Sequence, residues 1–190
     1  MTLEFQLPTD KHRLIQRCAA GETFKYLCFW GHEAKAGPSA CFSQWFDSPF
    51  HCDGQHFATA EHYMMYRKAC LFGDEKTALA IIGATHPGQA KALGRQVQGF
   101  HQALWEQYRF DIVVAANRAK FSTNAAIKAI LLNSQQRILV EANPVDRIWG
   151  IGLEAKHPDA QRAKAWPGLN LLGFALMQVR AELRATMSWQ

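Results

Sequence analysis

No apolar run in this 190-residue chain approaches the roughly 20 residues that a bilayer-spanning helix needs, so no membrane partner is expected. The opening Met1–Lys11 has no basic stretch followed by an apolar one, which argues against secretion and for a cytoplasmic location. Cysteines are few and odd in number: Cys18, Cys28, Cys41, Cys52 and Cys70 are scattered, as suits reduced thiols and not a disulfide framework. There is no run of lysine and arginine, and the formal charge of +5 is modest. That charge favours anionic small molecules, and nucleic acid is expected only as a modified substrate. No Gly-x-Ser-x-Gly elbow is present, and no cysteine sits in a nucleophile motif, so a serine or cysteine hydrolase is unsupported. Cys52, His56 and His62 follow a Cys-x3-His-x5-His spacing, with His51 adjacent, but no second cluster completes four ligands. Neither a metal nor a cofactor is expected. The Gly150-x-Gly152 pair lacks the third glycine of a dinucleotide fingerprint.

What is present is a globular composition, 48% hydrophobic and 19% charged, in a chain long enough to bury a core unaided. The aromatic stretch Phe24–Trp30 reads as a strand, and Ala40–Phe46 as a second strand or extended segment. Asp53-Gly54 between short extended pieces suits a hairpin. Helical character begins at Thr59, with helices expected over 60–72, 74–83, 87–98, 101–121 and 124–133. An earlier short one is expected from Asp10 to Ala20. The apolar Arg137–Glu141 is a short strand. A last helix runs from Leu171 to about Leu183, with Leu172, Ala175, Leu176, Val179 and Leu183 on its apolar face and Asn170 as N-cap. The fold class expected is α+β: a mostly helical single domain with a few short strands.

Several polar residues stand where chemistry can be built. Thr59 can cap a helix that carries Glu61 in its first turn, with Met65 and Lys68 on the same face. At 1.5 Å per residue, Glu61 and Lys68 lie roughly 10 Å apart along the axis, a gap that a small polar substrate can bridge. An ordinary capped helix with a solvated lysine explains the same pattern. Asn117 and Lys120 lie at i and i+3 near the end of a helix, where a cation is also mildly stabilising. Glu141 ends an apolar strand and Asp146 follows a proline-containing turn. A glycosidase wants such carboxylates around a bond, one to donate a proton and one to steady an oxocarbenium ion. Trp149, followed by Gly150 and Gly152, offers a flat face with backbone close behind, which suits a stacked base or a core anchor.

In order and spacing, these pieces resemble the NADAR family, also called YbiA-like or DUF1768. The landmarks are Phe42-Ser-Gln-Trp-Phe46, Glu61-His62-Tyr63 with Lys68-Ala69, Ala90–Arg95, Trp105 with Arg109, and Ala119-Lys120-Phe121. Leu131-Leu132, Leu139-Val-Glu141, Asp146-x-x-Trp149-Gly-Ile-Gly152 and Asn170–Arg180 complete the series. Where the family has Ser-Asn-Phe, this chain has Ser43-Gln44-Trp45. The resemblance implies a YbiA-like domain over 41–185, preceded by an extension over 1–40 with a strand near 24–30.

It also implies an N-glycosidase. Family members cleave the ribosyl–nitrogen bond of phosphorylated ribosylamino-pyrimidines, early intermediates of riboflavin biosynthesis, or remove ADP-ribose from guanine or guanidine nitrogen. A non-catalytic ADP-ribose or nucleotide reader is the alternative from another class. Carried over by position, Glu61, Lys68, Lys120 and Asp146 are the expected catalytic residues. Ser43, Trp45, His62, Arg95, Arg109, Asn117, Trp149, Gly150 and Asn170 are the expected substrate contacts. Arg95 and Arg109 suit a phosphate through bidentate bonds, or else are solvated helix surface. A ribosylamine can leave through an oxocarbenium ion, or open to an imine that a lysine captures; two lysines near one pocket would help to lower an amine pKa.

Overall fold

The computed structural model describes residues 7–187, so the first six residues of the expected extension lie outside it. The described chain is α+β and mostly helical, with seven α-helices and four short strands among the described residues. It divides into two compact units, one of residues 1–31 with 130–190 and one of residues 32–129. No described helix is long and apolar enough to cross a membrane.

The first unit is built on a parallel pair, β1 (Tyr26–Phe29) with β4 (Ile138–Glu141), in the register Tyr26↔Ile138 to Phe29↔Glu141. Ile138, Leu139 and Val140 are fully buried, as expected of a continuous apolar run covered on both faces. Helix α7 (Leu171–Met187) packs on β4 through the expected face of Leu172, Ala175, Leu176, Val179 and Leu183, all buried. Helix α1 (Lys11–Ala19), capped by Asp10 accepting from the Arg13 N–H, buries Leu14 and packs near a 3-10 turn at Ala163–Ala165. All of the second unit is inserted in sequence between β1 and β4.

The second unit centres on α2 (Ala60–Leu71), which is packed by α3 (Glu75–Ile82), α4 (Pro87–Gly94) and α5 (Gln102–Thr123). Its N-terminal half is buried nearly all round, Ala60 through Met65 included. Strands β2 (Phe50–Cys52) and β3 (Gln55–Phe57) form the Asp53-Gly54 hairpin, with both turn residues at positive φ. Phe50, Phe57 and Tyr63 cluster there in tilted and edge-to-face contacts. Helix α6 (Ala125–Asn133) carries the chain from this unit back to the first.

Four local expectations are corrected. Residues 40–46 are not extended: Gly37 at φ 85 and Pro38 start a 3-10 turn, Pro38–Phe42, that buries Ala40, Cys41 and Phe42. Helix α4 stops at Gly94 and not at 98, at a residue of weak helix propensity that lies against Met65, where an added Cβ would sit 2.1 Å from Sδ. Helix α7 runs on to Met187, since Ala181–Met187 contains no glycine or proline to end it. Asn170 stands immediately before α7, but its side chain is spent on β4: Oδ1 accepts from the Glu141 N–H at 2.9 Å and Nδ2 donates to Leu139 O at 2.8 Å. Its backbone adopts φ 58, a left-handed conformation that asparagine tolerates better than most residues.

Gly173 allows this close approach of α7 to β4. A Cβ there would lie 2.1 Å from the Leu139 carbonyl oxygen and 2.5 Å from Asn170 Nδ2. Gly173→Ala must therefore push the helix off the strand, and a loss of about 3 kcal/mol of stability is expected. Urea unfolding measures it; a loss below about 1 kcal/mol would mean that the contact is looser than described.

Candidate functional site

In the second unit, three side chains or amides from two helices converge on the turn at Ser43 and Gln44. Lys120 Nζ, on α5, donates to the Ser43 carbonyl at 2.8 Å. The backbone N–H of Glu61, in the first turn of α2, donates to the Gln44 carbonyl at 3.0 Å. Asn117 Nδ2, one turn before Lys120, donates to Gln44 Oε1 at 2.8 Å and to Val113 O at 2.9 Å. Glu61 is 3% exposed, and Asn117 and Lys120 are fully buried. Because both contacts of Asn117 are to acceptors, its amide orientation is determined, and its Oδ1 is buried without a hydrogen-bond partner among the described residues.

Lys120 is the unusual group here. Its ammonium meets a neutral carbonyl and the ring faces of Phe46 and Phe121, with Nζ 5.6 and 5.2 Å from the ring centroids. Burial lowers its pKa to about 7, against a smaller raising influence of the Cys41 thiol. An appreciable part of this amine is then neutral at neutral pH, which makes it a nucleophile or base and not a fixed cation. The Cys41 thiol beside it is pushed up to about 11 by the same burial, so it is not the nucleophile of the pair.

Lys68 lies two turns along α2 from Glu61, and the structure sends it to a different place. Nζ donates to the Gly94 carbonyl at 2.8 Å and sits 4.3 Å from the centroid of the Phe100 ring and 5.8 Å from that of Trp105. Burial lowers its pKa as well. Arg109 is 8% exposed and 3.7 Å from Glu106 Oε1; Arg95 is an exposed C-cap of α4.

His62 is engaged at both ring nitrogens. Nε2 is 3.2 Å from the Ala84 carbonyl, which can only accept, so Nε2 carries the proton. Nδ1 then accepts from the Thr59 hydroxyl at 2.8 Å, while that oxygen caps α2 by accepting from the His62 N–H. Burial lowers the pKa of this imidazole, in keeping with a neutral ring that anchors the start of α2.

Trp45, partly exposed, lies between His32 at 5.5 Å and His86 at 5.8 Å between ring centroids, and Lys91 Nζ is 5.8 Å from its ring centroid. An indole flanked by imidazoles and an ammonium suits a flat, electron-rich or anionic ligand. His32, His86 and Lys91 are not among the expected site residues, and Gln44 enters only as a departure from the family's Ser-Asn-Phe. Gln44 carries a signal, a polar residue beside Ser43 in the aromatic stretch Cys41–Phe46; the other three carry none.

In the first unit, Asp146 Oδ1 accepts from the N–H groups of Ile148 and Trp149, both at 2.8 Å, an Asx turn that orients the half-exposed indole. Gly150 must lack a side chain, since a Cβ would lie 2.9 Å from Glu141 O and 3.0 Å from Asp146 O. Asn170 joins the same construction, its N–H donating to the Gly150 carbonyl at 3.1 Å. Among the described residues, the second Asp146 oxygen has no hydrogen-bond partner. Among the described residues, no group of three or more histidine, cysteine or acidic side chains is placed to hold a metal.

Comparison with known proteins bears on this geometry. The family profile described as the NADAR domain matches residues 28–184. The chain is 42% identical over 166 residues to the N-glycosidase R617 of Acanthamoeba polyphaga mimivirus, covering 85% of this chain and 98% of that protein. It is 34% identical over 145 residues to the riboflavin biosynthesis protein PYRR of Zea mays, covering 71% of this chain but only 21% of that longer protein. The NMR structure of the Escherichia coli protein YbiA superposes with a TM-score of 0.71 at 27% identity, over 89% of this chain and 90% of that one.

Proposed function

The chain belongs to the NADAR family and is an N-glycosidase, a hydrolase of N-glycosyl bonds, and we propose that its substrate is a phosphorylated ribosylamino-pyrimidine of riboflavin biosynthesis. The observation that carries the proposal is the buried amine of Lys120, its pKa lowered by desolvation to about 7, beside the first turn of α2. A ribosylamine opens readily at C1′ to an iminium. The Lys120 lone pair attacks C1′, the C1′–N bond to the pyrimidine breaks with its electron pair leaving on nitrogen, and that nitrogen takes up a proton. Water then adds to the resulting lysine imine, which releases the free amine and ribose 5-phosphate. Glu61 steadies the cationic carbon and takes the proton from water. Lys68, Arg95 and Arg109 are proposed to hold the phosphate, and Ser43, Trp45, His62 and Asn117 to shape the seat of the sugar and base. By family motif, Asp146, Trp149, Gly150 and Asn170 are proposed as further residues on which turnover depends. The name of the maize relative is what favours a riboflavin-pathway substrate.

The test is release of ribose 5-phosphate from freshly made ribosylaminopyrimidine phosphate, with ADP-ribosylated guanosine assayed in parallel. Turnover of the first at a kcat/KM at least tenfold higher is the expected outcome. Preference for the second would make this chain an ADP-ribosyl glycohydrolase and overturn the substrate assignment.

A further inference from the structure

Gln44 has no part in the reaction proposed above, yet it touches both helices that carry it. It is 6% exposed. Its backbone carbonyl accepts from the Glu61 N–H at 3.0 Å, one of the first-turn donors that a helix leaves without an internal partner. Its Oε1 accepts from Asn117 Nδ2 at 2.8 Å, and its Nε2 lies 4.0 Å from Met64 Sδ on α2. The turn beneath it is pinned as well. The Ser43 N–H donates to Ala40 O at 3.0 Å, the Ser43 hydroxyl accepts from the Trp45 N–H at 3.2 Å, and the Ser43 carbonyl accepts from Lys120 Nζ at 2.8 Å. One residue therefore ties the backbone of Glu61 to the side chain of Asn117, next to the carbonyl that holds the Lys120 amine.

The donor and acceptor roles follow from one fixed point. Val113 O can only accept, so the Asn117 atom 2.9 Å from it is Nδ2. The same nitrogen meets Gln44, so the Gln44 atom facing it is Oε1. Both hydrogens of the Asn117 amide are then committed, one to Val113 and one to Gln44. What is left of this fully buried residue is Oδ1, which has no hydrogen-bond partner among the described residues. A buried carbonyl in that state is costly to the fold, and a functional site is where such a cost is kept. Without Gln44 the amide keeps only its bond to Val113, and the direction of Oδ1 is no longer fixed.

We propose that Gln44 is a positioning residue for the N-glycosidase reaction: it holds Asn117 so that Oδ1, and not the amide NH2 group, meets the substrate. The group met there must be a donor, either a hydroxyl of the sugar or an N–H at the bond that breaks. A substrate with only an acceptor at that point is rejected, because two sets of lone pairs would face one another in a buried place. The inference rests on the reading that places Asn117 and Lys120 at the seat of the sugar.

A double-mutant cycle in kcat/KM tests it, with Gln44→Met, Asn117→Leu and the two combined, on whichever of the two substrates above the protein turns over. Methionine keeps the length of Gln44 and removes the acceptor oxygen. Each single variant is expected to lose at least about tenfold in kcat/KM. Because Gln44 acts through Asn117, the double variant should lie within about twofold of Asn117→Leu alone. A residue that served only the fold would lower the thermal midpoint and leave the kcat/KM of the folded protein near that of the parent. If Gln44→Met does not fold, Gln44→Leu closes the same cycle. Either single variant with kcat/KM within about twofold of the parent, or losses that multiply in the double variant, would overturn the proposal. Lys120→Met separates it from the reaction. Turnover retained there, with the cycle still coupled, would count against the amine mechanism and not against Gln44; turnover lost there, with Gln44→Met unimpaired, would count against Gln44 alone.

Discussion

Lys120→Met is expected to lower kcat by about 10³-fold and to abolish a substrate adduct that borohydride reduction traps on the parent protein, while the fold is retained. Methionine matches the length of the stem and removes the amine. It leaves the Ser43 carbonyl without its donor, and it also removes a buried charge, so its net effect on stability at neutral pH is small. Mass spectrometry after reduction, beside steady-state kinetics, reads both results. A variant that keeps a tenth of the parent's turnover would exclude an essential amine at this position.

The same substitution carries a pH signature. The folded-state pKa of Lys120, about 7, lies below the ordinary value of 10.5 that the unfolded chain keeps. Between these values the unfolded state holds a proton that the folded state has released, so stability rises with pH, by at most about 1.4 kcal/mol per unit. Below about pH 7 both states are protonated, the slope vanishes and the penalty of burying the cation is felt in full. Cys41, Tyr26 and Tyr63, whose pKa values burial raises, give the opposite slope at alkaline pH. Those groups are common to both proteins. The parent should therefore gain stability relative to Lys120→Met as pH rises from about 7 towards 9, and denaturant midpoints across that window measure the difference. Parallel curves would mean that Lys120 titrates normally.

Glu61→Gln is expected to reduce kcat by about 10²–10³-fold with KM changed only a few-fold. The amide keeps the shape of the side chain but cannot accept a proton from water or steady a developing cation. Three local anchors survive the change: the Glu61 N–H on Gln44 O, the Thr59 cap and His62 on Ala84 O. Circular dichroism and a thermal midpoint near that of the parent would accompany the loss. Full activity in this variant would remove Glu61 from the reaction.

Much of the architecture is readable from local pattern. Asp10, Thr59 and Asp74 cap helices because a short polar side chain can accept from a free N–H two or three residues on. Asp53-Gly54 makes its hairpin because both positions need positive φ. The apolar face of α7 follows from its periodicity. Local pattern fails where a distant partner decides: the burial of Phe42 overrides the extended reading of 40–46, and Asn170 spends its side chain on β4 and not on the start of α7.

The candidate site divides in the same way. Sequence alone determined that Glu61 starts a helix, that Asn117 and Lys120 share a helix face, and that Asp146 precedes a tight glycine-flanked turn with Trp149. These are consequences of spacing along one segment. Only the tertiary structure decided that Lys120 is sealed against Ser43 and two phenyl rings, that Gln44 pairs with Asn117 across 73 positions of sequence, and that Lys68 turns to Gly94. The same holds for the guanidinium of Arg180, buried on the Ser134 hydroxyl and the Arg137 carbonyl. The physical reason is that charge state and reactivity depend on desolvation and on the nearest dipoles, and these are supplied by segments far apart in the chain.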